Sequence, residues 1–152
     1  MPRLAALRAL NLNDTGLGPT GLAAIANAVA RLPALTGLDL GANRLGLPGA
    51  RALATALLRM PTLQRLSLAR NGLRCEGIAA LAPALGRLRS MRLLDVSSNA
   101  VGDEGAASLV HALSVLTALT FMNAACNTWG AARKGEILHA LRGACLLEYL
   151  EV

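Results

Sequence analysis

The chain has 152 residues, of which 54% are apolar but only 2% aromatic. That balance argues against a globular core built on large rings and for thin layers filled by Leu, Ala and Val. Fifteen Lys and Arg against nine Asp and Glu give a net charge of +6, which admits an acidic protein or a nucleic acid as partner. The three cysteines, Cys75, Cys126 and Cys145, are odd in number and fall at unrelated positions, so they form neither a zinc spacing nor an obvious disulfide framework.

Along the chain, Met1 to Ala6 reads as the last quarter of a repeat, with Arg3-Leu4 matching Arg31-Leu32. Leu7 then opens a frame L-x-x-L-x-L that recurs every 28 residues at Leu35, Leu63, Met91, Leu119 and Leu147. Its fourth position carries Leu10, Leu38, Leu66, Leu94 and Met122, and its sixth Leu12, Leu40, Leu68, Val96 and Ala124. Alternation of this kind predicts a strand. The ninth position holds Thr15, Asn43, Asn71, Asn99 and Asn127, where a turn is expected, and the eleventh holds Leu17, Leu45, Leu73, Val101 and Trp129. Gly21, Gly49, Gly77 and Gly105 introduce a stretch with apolar residues at helical spacing, such as Leu53 with Leu57 and Leu81 with Leu85. Each repeat is therefore one strand and one helix.

Individual repeats depart from this scheme. Thr15 replaces the asparagine in the first, and Pro83 falls inside the third helix, which it is expected to kink or shorten. In the fifth, Arg133 takes the glycine position, Lys134 an apolar one, and Gly135 comes two residues late, so its helix is expected to start later. Trp129 is too large for the usual leucine pocket and is expected to stay partly exposed. The chain stops at Val152, on the sixth position of a new strand.

With these residues in place, the sequence resembles the ribonuclease-inhibitor class of leucine-rich repeats, whose motif L-x-x-L-x-L-x-x-N-x-L carries a strand and a helix per repeat. The resemblance covers nearly all of the chain. It implies an α/β right-handed solenoid, or horseshoe, with a concave parallel sheet and convex helices, as in the sensing regions of NOD-like receptors and in Ran GTPase-activating proteins. Residues 1–152 form a single leucine-rich repeat domain, with repeats starting at 7, 35, 63, 91 and 119 and a partial one at 147. Both ends cut through a repeat without a polar cap, so the chain is expected to be a piece of a longer array or to associate through its ends.

A side-chain amide offers both donor and acceptor to backbone groups that a turn leaves unpaired, so the asparagine ladder is read as structural. The side chains left for function are those at the third, fifth and seventh positions of each strand, on the concave face. Among them Asp39, Arg65, Leu93, Asp95, Phe121, Asn123, Tyr149 and Glu151 are the candidate partner-binding residues. Leu93, Phe121 and Tyr149 fall on neighbouring strands beside carboxylates, the composition of a protein-binding hot spot.

Other sites find less support. Arg3, Arg31, Arg59 and Arg87 share a register near helix C-termini, where a cation offsets the dipole and can reach free carbonyls. Used together as a convex ridge they would meet phosphates or an acidic protein, but no aromatic interleaves with them to stack bases, which disfavours nucleic acid. His111 and His139 occupy the same outward helix position one repeat apart, about 10 Å from one another, too far for one metal. Ser67, Ser97 and Ser98 lack a histidine to activate them.

The reading is a non-enzymatic protein-binding scaffold, such as a receptor or sensor fragment or a subunit of a large assembly, without cofactor or metal. A small-GTPase partner, as for the Ran-directed activators, is the alternative the resemblance allows, although the acidic tail typical of those proteins is missing. Free buried or half-buried thiols, with no leader or membrane span recognised in the sequence, favour an intracellular setting, cytoplasmic or nuclear.

Overall fold

A strand that rises about 3.3 Å per residue and a helix that rises 1.5 Å can share one short repeat only by running side by side in opposite directions. Stacking such units pairs strand with strand and helix with helix. The computed structural model describes residues 5–141 and 149–151, the last three by their backbone alone. Strands and helices alternate as β1 (Ala9–Asn11), α1 (Gly18–Val29), β2 (Gly37–Asp39), α2 (Gly46–Leu57), β3 (Arg65–Ser67) and α3 (Arg74–Leu85). They continue as β4 (Leu93–Asp95), α4 (Asp103–Leu113), β5 (Phe121–Asn123), α5 (Ala131–Ala140) and β6 (Tyr149–Glu151).

The strands form one six-stranded sheet in sequence order, every pair parallel and in the register the period demands: Leu10 faces Leu38, then Leu66, Leu94, Met122 and Leu150. Each helix packs on the helices of adjacent repeats. This is the α/β solenoid that the repeat implies. Parallel strands lie about 4.8 Å apart and packed helices about 8 to 10 Å, so the helical side is the wider one.

The core is the space between the two layers. Leu38, Leu66, Leu94 and Met122 are buried from the sheet and Leu53, Leu57, Leu81, Leu85, Leu109 and Leu113 from the helices, with Leu45, Leu73 and Val101 closing the turn side. The helix glycines are set by this closure. A Cβ on Gly49 would stand 2.7 Å from Cβ of Leu45, and one on Gly105 would stand 2.6 Å from Cγ1 of Val101.

The turns after β1 to β5 share one backbone shape despite varied residues. Asp14, Ala42, Arg70, Ser98 and Cys126, all at the eighth position, adopt φ between 53° and 57°, a left-handed conformation that costs a non-glycine residue about 1 to 2 kcal/mol. In return their N–H groups reach the next repeat: Asp14 donates to the carbonyl of Gly41, Ala42 to Ala69, Arg70 to Ser97 and Ser98 to Ala125. The backbone ladder therefore runs past the three-residue strands into the turns.

Three expectations are corrected. Pro83 does not shorten α3, which has 12 residues like α1 and α2. It lies in the last turn on the exposed side, where Ala79, whose carbonyl loses its donor, is also exposed, so water can take the place of the missing N–H. Trp129 is 5% exposed and belongs to the core. Beside it α5, like α4, begins one residue later than α1, α2 and α3, after an extended glycine, Gly130 for α5 and Gly102 for α4. Cys126 is exposed rather than buried or half-buried; Cys75 is half-buried, and both are free thiols. Cys145 and Arg3 lie outside the described residues, as does the leucine opening the last repeat.

Candidate functional site

Alternation along a strand sends the third and fifth positions to the face opposite the core, and the burial pattern follows it. Ala9 and Arg65 are exposed and Leu93 and Phe121 half-exposed, while the fourth-position residues between the two rows are buried from β2 to β5. Gly37 is the exception in its row, and the neighbouring strand explains it. A Cβ there would sit 3.2 Å from both Nε and Nη2 of Arg65, so the Arg65 guanidinium lies over the bare backbone of β2.

Small residues at Ala9 and Gly37 leave a hollow of about 410 Å³ on the concave face, with Asn11, Asp39, Ser67 and Leu93 also on its walls. A second hollow of about 400 Å³ opens where the strands end, bounded by Asp14, Arg70, Asp95, Ser97 and Asn123. Ser67 touches both. Arg133 pairs with Glu136 on α5, and no ion pair joins Arg65 to Asp39 or Asp95. Arg65, Asp39 and Asp95 thus share a face without neutralising one another. Leu93 and Phe121 face each other across β4 and β5, and Tyr149 is next in that row by backbone pairing. The side chains of Tyr149 and Glu151 lie outside the described residues.

The fifth-position row has a second task that its polar character concealed. Oδ1 of Asn11 accepts the N–H of Asn13 at 2.8 Å, Asp39 that of Gly41 at 2.9 Å, Asp95 that of Ser97 at 2.9 Å and Asn123 that of Ala125 at 3.0 Å. Asp95 also accepts the Ser97 hydroxyl at 2.7 Å. Each closes an Asx turn that starts the reversal out of the strand. One oxygen of Asp39 and of Asp95 is thereby committed to the fold. The signal that could have revealed this is an Asn or Asp at four of these five positions.

Asn43, Asn71, Asn99 and Asn127 form the expected ladder. Nδ2 of Asn71 donates to the carbonyls of Leu40, Leu68 and Ala69, and its Oδ1 accepts the N–H groups of Asn43 and Leu45. Asn99 repeats the set one unit on. Where Thr15 stands instead, its hydroxyl donates to the carbonyl of Leu12 and its N–H donates to Asn43 Oδ1.

On the other faces, His111 and His139 are exposed on α4 and α5. Arg31, Arg59 and Arg87 are exposed and fall one residue past the helix caps Ala30, Leu58 and Gly86. Their guanidinium groups bond to no helix carbonyl among the described residues. No helix among the described residues is long and apolar enough to cross a membrane.

The comparisons agree with this architecture. The model of the Leucine Rich repeat family matches residues 6–26, 32–54, 59–82 and 87–110, more than half of the chain; the irregular fifth repeat lies beyond the matched segments. No curated protein was found to match the chain. With that repeat, its sheet register and its asparagine ladder, the chain belongs to the leucine-rich repeat family.

Proposed function

We propose that the chain is a protein-interaction scaffold of the ribonuclease-inhibitor type that holds its partner on the concave face. The family supports interaction with proteins in general. The subtype rests on the 28-residue spacing of the strands and on a full helix in every convex segment. The observation that carries the concave reading is the pairing of half-exposed Leu93 and Phe121 on adjacent strands beside a hollow spanned by Arg65. Apolar and aromatic anchors next to an arginine form the centre of a typical hot spot, and the flanking charges of Asp39 and Asp95 select the partner and speed its arrival more than they tighten it. Asn123 extends the same surface, and the backbone pairing of β6 places Tyr149 and Glu151 next in the two rows. Two unpaired thiols, Cys75 and Cys126, fit an intracellular setting.

The test is site-specific photo-crosslinking in cells. A crosslinking residue at position 65 or 121 is expected to trap a protein that one at the exposed convex Ala79 does not trap, and Leu93→Asp should abolish the adduct while leaving the circular dichroism unchanged. Adducts from position 79 alone would place the partner on the helices and end the concave reading.

A further inference from the structure

Six of the described arginines gather at one edge of the solenoid, while Arg44, Arg70 and Arg74 lie at the opposite one. Where helices end and strands begin, the solenoid presents Arg8, Arg31, Arg59, Arg87, Arg89 and Arg92, all exposed. Among the described residues no carboxylate shares that edge. Asp14, Glu76, Asp103 and Glu104 lie at the opposite edge, where strands end and helices begin, Asp39 and Asp95 on the sheet, and Glu136 within α5.

Helix capping does not account for the cluster. Arg31, Arg59 and Arg87 come after the cap residues and bond to no carbonyl through their side chains among the described residues, and Arg8, Arg89 and Arg92 belong to turns and strand starts. The backbone that carries them is nonetheless ordered. The N–H of Arg31 bonds to Ala28, that of Arg59 to Ala56, that of Arg87 to Ala84 and that of Arg89 to Arg87, while Arg92 bonds to Gln64 of the previous repeat. Six like charges therefore share one ordered edge, to which an anionic partner would be drawn.

The spacing indicates what kind of anion. Repeats advance by about 5 Å at the strands and about 10 Å at the helices. Carboxylates two or three residues apart on an extended chain, at about 3.3 Å per residue, fall within that range. No aromatic side chain stands on this edge among the described residues: Trp129 is in the core and Phe121 on the concave face, so bases would find nothing to stack on. We propose that this arginine edge is a second interface, separate from the concave face, that docks an extended acidic segment of a protein.

The test is fluorescence anisotropy with a labelled glutamate-rich peptide, run beside a single-stranded oligonucleotide of equal charge. The triple variant Arg87→Ser, Arg89→Ser, Arg92→Ser is expected to bind the peptide about tenfold more weakly. A control of equal net charge, Arg44→Ser, Arg51→Ser, Arg70→Ser, should bind as the parent does. Lysine at the three edge positions should keep most of the affinity, which guards against loss through misfolding. Equal weakening in both triple variants would reduce the effect to net charge and overturn the proposal. So would tighter binding of the oligonucleotide than of the peptide, or no peptide binding at low salt.

Discussion

Asn71 accepts the backbone N–H of Asn43, one full repeat earlier, through its side-chain oxygen at 3.0 Å. The same amide donates to Leu40 of that repeat and to Leu68 of its own, so a single buried side chain fastens two units at the point where both strands turn. Asn71→Ala would leave several buried backbone groups unpaired, each worth about 1 to 3 kcal/mol. The expected loss is about 3 kcal/mol in urea unfolding. Asn127→Ala should cost less, since Asn127 is half-buried and water can reach its partners.

Two glycines of the helices separate packing from propensity. A Cβ on Gly105 would stand 2.6 Å from Cγ1 of Val101 and 2.8 Å from Cα of Cys75 in the neighbouring repeat, and a main chain cannot step aside as a side-chain tip can. Gly105→Ala should therefore destabilise by about 1 to 3 kcal/mol. Gly135, inside α5, meets nothing within 4 Å, so Gly135→Ala should stabilise by about 0.5 to 1 kcal/mol through helix propensity alone. Thermal melts of both variants check the opposed signs.

On the concave face the bare backbone of Gly37 is a seat for the Arg65 guanidinium. Gly37→Ala would place a methyl 3.2 Å from Nε and Nη2 of Arg65 and lift that group from the hollow. Arg65 is exposed and its side chain can move, so stability should stay within about 0.5 kcal/mol. The crosslink from position 121 should weaken nonetheless. An unchanged crosslink would mean that the position of Arg65 does not matter to the partner.

What the period could reveal was register. Once Leu10, Leu38, Leu66 and Leu94 fall 28 apart, strand pairing, core face and the asparagine ladder follow, because each is the same contact repeated. What it could not reveal depends on where a single backbone segment begins or bends. Trp129 is larger than the residue at the same position of the other repeats, and its letter alone does not show that the fifth repeat buries it. Pro83 looked like a breaker until Ala79 proved to face water. Asp39 and Asp95 read as exposed charges, and a chain of letters does not show that one oxygen of each already holds a turn. The left-handed residues stayed hidden for a related reason: Asp14, Ala42, Arg70, Ser98 and Cys126 have no side-chain chemistry in common.

Trp129 is the single tryptophan of the chain, so its fluorescence reports the fifth repeat alone. Buried in the core at 5% exposure, it should emit at short wavelength in the native protein and shift to the red on unfolding. Its repeat is the less firmly held: α5 buries one residue, Ile137, whereas α3 buries six. In a solenoid, where stability is summed over units and their interfaces, the weaker unit should open first. The fluorescence transition in urea is therefore expected at lower denaturant than the far-ultraviolet circular dichroism transition, and Trp129→Ala, at a cost of about 3 to 5 kcal/mol, should widen that gap in hydrogen exchange by releasing the amides of α5 while those of α2 and α3 stay protected. Coincident transitions would show instead that the interface between α4 and α5 couples the fifth repeat to the rest strongly enough for the whole array to unfold as one.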